Sequence, residues 1–381
     1  MQRLTRLLLV LAIAAPVTAT PLLCMWDYDT LLQERARFPE TLELITGKFP
    51  RHSDAFYRWR IEDREAKRAA APDDPQILDD LAVAWSKLGD DAKAIELMEE
   101  KETRFPGLYE TAANLGTFHI HAGDFEEGAK HIERAIEINP AAHFGRERYQ
   151  LLLVRYVLTK RSESESLSLP LDRNTASRLG SRGPRGFWSF IESEREVKKE
   201  FREAEIKLAV TGVLGMLRFG NYDSPILCEA LADLLLADWQ SDAKNLAARA
   251  LLQASYRVSD EAAKERYRKK AKGALHMQTP DGSAPATVSL EVVEQRFAKE
   301  LADAEAWWKV LEQDELKWIA EGEDVEARFA EKYFGAEPKV KTTGGWMTPS
   351  RDQIFLGLGA TLLALVLVRR RFRLAAAKAA A

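Results

Sequence analysis

Through the first half of the chain, apolar residues fall at steps of three and four between short polar breaks, and this spacing predicts helices. Leu78, Leu81 and Trp85 line one face of a first helix, and Ile95 and Met98 line a second. Gly89-Asp90 separates them: glycine supplies the left-handed backbone that ends a helix, and acidic residues suit the positive N-terminus of the next. The pattern then returns, with Ala112, Leu115 and Gly116 before the turn Gly123-Asp124-Phe125, and Ile132, Ala135 and Ile136 after it. Pro72, Pro106 and Pro140 stand 34 residues apart. At that spacing Leu81, Ala82 and Trp85 recur as Leu115, Gly116 and His119, and Ala94, Met98 and Lys101 recur as Gly128, Ile132 and Ala135. These are two copies of one helix-turn-helix unit, with Ala82 and Gly116 marking a close helix contact.

The period, the Leu-Gly pair, the Gly-Asp-Phe turn, the Ala-Ile pair and the closing Pro140 resemble the tetratricopeptide repeat over about residues 75–140. The departure is Gly128, where the family usually has alanine. The resemblance implies an all-α fold, a helical-repeat superhelix of the right-handed α-α solenoid kind. Such units stack in threes or more, so flanking helices are expected to complete the superhelix. It also implies a protein or peptide ligand in an inner groove lined by the first helix of each unit. By matching position those residues are Gln76, Asp79, Val83, Ser86 and Lys87, then Glu110, Ala113, Thr117, Ile120 and His121. Asp79 and Val83 replace the Lys and Asn that clamp a terminal carboxylate in the chaperone-binding members, which disfavours a chaperone tail. Apolar Val83, Ala113 and Ile120 between polar neighbours suit an extended or helical peptide. Charged replacements at Val83 and Ile120 are expected to abolish binding and spare the fold.

Around the repeats (72–160) the remaining chain divides by composition. Residues 20–71 predict an N-terminal helical cap, in which Ser53 caps a helix from Asp54 to Ala70. Residues 161–186, rich in Ser, Arg, Gly and Pro, read as a flexible loop. Residues 187–276 predict a second helical-repeat region: one long helix from Phe187 to about Arg218, then a pair begun by Ser224 as cap and Pro225 as first residue. Residues 287–335 carry the stripe Val293, Phe297, Leu301, Ala304, Trp308 and Leu311, the mark of a long amphipathic helix. Trp307, Trp308 and Trp318 read as core positions of such a helix rather than a ligand box. Residues 336–353 form a linker.

The ends change the compartment. Arg3 and Arg6, the apolar run Leu7 to Ala15 and the small residues before Thr20 read as a signal peptide over 1–19, with an uncleaved anchor as the rival. Ile354 to Val368 is uncharged and followed by Arg369, Arg370, Arg371 and Arg373, which predicts a C-terminal transmembrane helix (354–368) and a cytoplasmic tail (369–381). Fifteen residues rise only about 22 Å against roughly 30 Å of hydrocarbon, so snorkelling or thinning must close the gap. A buried core helix and a removable sorting tag are the other readings of this run. Without both ends, the 55 basic residues of the chain fall to 48 against 59 acidic, a balance of −11. An acidic body disfavours nucleic acid as a partner. Cys24 and Cys228 are the two cysteines, with a bridge between them open in an oxidising compartment.

No phosphate-binding glycine loop, nucleophile elbow or His-Glu-x-x-His run occurs. His119 and His121, two apart on a helix, point to nearly opposite sides and do not form one metal site. The sequence thus points to a non-enzymatic protein-interaction scaffold at the cell membrane, its body periplasmic or extracellular, with no cofactor and no small-molecule substrate. The rival is an envelope enzyme or enzyme subunit whose site is scattered over unmotifed helices.

Overall fold

The computed structural model describes residues 38–140, 142–162, 167–172, 186–238, 243–276 and 288–335. The expected signal peptide, linker, membrane segment and tail lie outside the described residues. Contacts divide the chain into two units, 1–335 and 336–381, and every described residue belongs to the first.

Among the described residues the fold is all-helical, with no strand. After the short α1 (Thr41–Thr46) come α2 (Asp54–Ala70), α3 (Pro75–Lys87), α4 (Asp91–Arg104), α5 (Tyr109–His121), α6 (Phe125–Ile138) and α7 (Arg146–Ser162). The local chemistry expected from the sequence is present. Ser53 Oγ accepts from Phe56 N to start α2, Asp74 accepts from Gln76 N with Pro75 in the first turn of α3, and Asp90 and Asp124 cap α4 and α6 through the N–H of Lys93 and Glu127. Gly89 and Gly123 sit at φ of 89° and 88° in the two turns, a backbone that side-chain-bearing residues rarely adopt. The second hairpin is the tighter one. A Cβ on Gly128 would lie 2.3 Å from Ile120 Cγ1 and 2.9 Å from Gly116 O, and one on Gly116 would lie 3.0 Å from Ile132 N. An alanine at 128 would therefore push α5 and α6 apart.

The second half contains α8 (Phe187–Glu194), α9 (Arg202–Phe219), α10 (Pro225–Asp238), α11 (Ala243–Arg257), α12 (Glu261–Leu275), α13 (Leu290–Glu321) and α14 (Val325–Phe329). The single helix expected from Phe187 to Arg218 is two. Arg195 and Glu196, the latter at φ 47°, break it, and a short 3-10 turn at Lys199–Phe201 leads into α9. The polar run Glu192 to Glu200 offers almost no apolar stripe for a neighbour to hold, so nothing rewards continuing the helix there. The loop expected over 161–186 is also shorter at its near end. Pro170 and Leu171 are buried, and the N–H groups of Leu171 and Asp172 donate to Glu229 at 2.9 and 3.0 Å.

Helices that follow one another in the chain also pack on one another from α2 through α8 and from α9 to α12, and α9 packs back on α7. The 32-residue α13 then packs against α12 and α11 near its start, against α1, and against α2 and α14 near its end. The circuit of helices is thereby closed. Val293, Phe297, Ala304 and Leu311 of the predicted stripe are buried along the way, as is Trp318 about two turns further. Each of the larger aliphatic and phenyl side chains, Val293, Phe297 and Leu311, contributes roughly 1.5–3 kcal/mol when fully withdrawn from water.

Candidate functional site

The ten positions assigned to the inner groove lie mostly inside the body. Asp79, Val83, Ser86, Ala113, Thr117, Ile120 and His121 are buried, Lys87 and Glu110 are half-buried, and Gln76 is exposed. The reason is that α3 and α5 are covered on most of their circumference: every residue from Ile77 to Ala84 and from Thr111 to Phe118 is buried. Polar groups on these faces are consequently matched. Gln150 of α7 donates to Thr117 Oγ1 at 3.2 Å. Ser86 donates to Asp91 at 2.5 Å and lies 3.3 Å from His121 Nδ1. Lys87 Nζ donates to the carbonyls of Phe219 and Gly220 at 3.2 and 2.7 Å, where the end of α9 concentrates negative dipole. Gln76 and Glu110 remain as the water-facing edge of the groove. The expectation that charges at Val83 and Ile120 would spare the fold is corrected here. These positions are 2% and 0% exposed, so a charge there would be buried without a partner and would destabilise the body by several kcal/mol.

Four clusters of buried charge connect elements far apart in sequence. Asp79 of α3 receives Lys101 Nζ of α4 at 2.5 Å and Asn114 of α5 at 3.2 Å. Its neighbour Asp80 points the other way, to Arg64 Nε of α2 at 2.6 Å. Arg64 and Arg60 meet Glu326 of α14 at 2.5 and 2.8 Å. Glu315 of α13 lies 2.6 Å from His52 Nδ1 and accepts from Ser53 N at 2.9 Å, with the His52 ring stacked on Phe56 at 3.6 Å between centroids. In the second half Glu229 of α10 takes four donors: Leu171 N, Asp172 N, Tyr267 Oη at 3.0 Å and Lys270 Nζ at 2.8 Å. Asp233, one turn on, accepts from Phe187 N at 3.1 Å.

Burial raises the Asp79 carboxyl to about 7 although Lys101 pulls it down, and burial likewise raises Asp233 to about 7 against the pull of Lys270. Burial opposes a charged Lys270, yet Glu229 and Asp233 together raise its ammonium above the ordinary value. The Cys228 thiol is pushed far up by burial and lies against Tyr222 O at 3.7 Å, a packed and unreactive setting. Of the four clusters, the one at Glu229 comes nearest to an acid-base constellation, with two carboxylates, a lysine and a tyrosine. Its acceptors are filled from within the chain, so its chemistry is to hold the 167–172 segment and the start of α8 against α10 and α12.

No protein-family model matches the chain, and no curated protein matches its sequence. The repeat resemblance therefore stands on the residues quoted for it. His119 and His131 stack at 5.4 Å between centroids, beside Asp124 and Glu127 at 3.7 Å. Among the described residues no group of three or more His, Cys, Asp or Glu side chains is arranged to hold a metal ion, and no helix is long and apolar enough to cross a membrane. Trp318 is buried, and Trp307 meets Tyr333 edge to face at 6.0 Å. Sequence reasoning missed Arg64, Glu315 and Glu326, all of which read as charges on ordinary helix faces, and it noted Lys101 only as a repeat position.

Proposed function

We propose that the protein is a non-enzymatic protein-interaction scaffold built on a tetratricopeptide-like superhelix, a right-handed α-α solenoid. In this reading its C-terminal apolar segment holds it in the cell membrane with the helical body outside the cytoplasm. The observation that supports the reading is how the buried polar groups are used. Asp79, Asp80, Glu229, Asp233, Glu315 and Glu326 each take N–H or O–H donors from other parts of the fold, so these charges serve to fix helix against helix. A protein or peptide partner would enter at the water-facing edge marked by Gln76 and Glu110, beside the interior positions of the same two helices.

Topology provides the first test. A reporter phosphatase active only outside the cytoplasm is expected to be active when fused at Gly345 and inactive when fused at Ala381. The reverse pattern would remove both the signal-peptide and the membrane-anchor parts of the proposal. The full chain in detergent is likewise expected to retain one partner protein at near-stoichiometric yield from envelope extract, and retention of none would count against a scaffold.

A further inference from the structure

Arg51 lies in the segment joining α1 to α2, which passes between the end of α9 and the middle of α13. Gly47 opens this segment at φ 78°, and a Cβ there would stand 2.5 Å from Tyr222 Cε2. The Arg51 guanidinium carbon is 4.8 Å from the ring centroid of Tyr222, 4.7 Å from that of Trp308 and 5.9 Å from that of Phe49. Its protein partners are Gly47 O, to which Nη1 donates at 2.9 Å, and the side chain of Tyr222.

The environment of this cation differs from that of five buried ones. Arg60, Arg64, Lys101, Arg249 and Lys270 each meet a carboxylate at 2.8 Å or less. Among the described residues, no carboxylate lies within 4.0 Å of Arg51. The neighbouring acid, Asp223, pairs with Arg257 at 3.2 Å. Burial pulls the guanidinium below its ordinary value, but it cannot neutralise by losing its proton at any ordinary pH. The Trp308 indole N–H, in the ring that the guanidinium covers, is buried and finds no hydrogen-bond partner. The side chains of Arg51, Tyr222 and Trp308 are themselves only half-buried, so the spot is within reach of water and of a solute. Lys87, which donates to the carbonyls of Phe219 and Gly220, adds positive charge near Tyr222.

We propose that Arg51, stacked over the rings of Tyr222 and Trp308, forms a binding site for a compact oxyanion, the carboxylate or phosphate group of a small ligand. The guanidinium edge offers paired N–H donors that match either group, and stacking over Tyr222 and Trp308 fixes its plane in advance. This goes beyond the scaffold reading, which assigns no small ligand.

The test is calorimetric titration of the full chain in detergent, at constant ionic strength set with chloride. Inorganic phosphate is the probe in one arm and succinate in the other. Saturable binding is expected in at least one arm, and which arm responds identifies the group. R51Q is expected to weaken that binding about tenfold or more, and W308F about two- to tenfold. R51K, which keeps the charge but loses the paired donors, is expected to fall between wild type and R51Q. Circular dichroism checks each fold, and if R51Q does not fold, R51K and W308F decide. Absence of saturable binding in both arms, or folded variants that bind as tightly as wild type, would overturn the site.

Discussion

Replacing Lys101 by alanine is expected to lower the unfolding free energy by about 3–5 kcal/mol, because it leaves the Asp79 carboxylate buried without its cation. In a body of this size that is a fall in melting temperature on the order of 10 °C. The 34-residue repeat suggests the compensating change. Asp79 and Lys101 correspond to Ala113 and Ala135, and both alanines are buried in one apolar cluster of the second hairpin. The double variant D79A/K101A reproduces that arrangement and is expected to recover much of what K101A loses, giving a coupling of a few kcal/mol in a double-mutant cycle. The pH dependence follows from the raised Asp79 carboxyl. Such a group contributes stability that is fully present below its ordinary value of 3.8 and is lost as pH rises through about 7. The wild type should therefore lose stability relative to D79N between pH 4 and 7, at up to about 1.4 kcal/mol per pH unit, and level off above. Without Lys101 the carboxyl titrates still higher, so the cost of K101A should be smaller at pH 5 than at pH 8. Urea denaturation of the variants at these two pH values checks the series.

The second large effect is expected at the closure of the circuit. Glu315 is fully buried, and Glu315→Ala removes the acceptor of the Ser53 N–H and the partner of His52 Nδ1, at a cost of about 2–5 kcal/mol. It also leaves a cavity near His52, which is stacked on Phe56 and tilted against Phe329. The loss should be local. Amide hydrogen exchange in α2, the last turns of α13 and α14 is expected to quicken, while α10 to α12, held by the Glu229 cluster, should keep their protection. Uniform quickening over the whole body would show that the circuit does not close in separable parts.

Much of the fold is legible in the sequence because it is local. Ser53, Asp74-Pro75, Ser224-Pro225 and the two Gly-Asp turns each fix a helix boundary within four residues of themselves. The stripe from Val293 to Leu311 fixes the buried face of α13 by the same short-range logic. The break at Glu196 is not legible, since a polar stretch with good helix formers reads as helix until tertiary contacts fail to hold it. The interior of the groove escapes for a related reason. Matching by repeat position finds the first helix of each unit but cannot show that α7 and the end of α9 lie against it. Pairs such as Arg60 with Glu326 and His52 with Glu315 join residues more than 260 positions apart. No spacing rule reaches that far, and singly each residue resembles a solvated charge. Asp79 with Lys101 is the exception, because the sequence shows both replaced by alanine one repeat later.

The scaffold reading is tested most directly by photocrosslinking in intact cells, with a photoreactive residue placed in the full chain at Gln76 or Glu110. Glu96 and Lys130, exposed on the second helices of the two hairpins, are the control positions. One and the same protein adduct is expected from Gln76 and Glu110 and none from Glu96 or Lys130, whereas adducts from the control positions alone, or from none of the four, would contradict a partner at the groove edge.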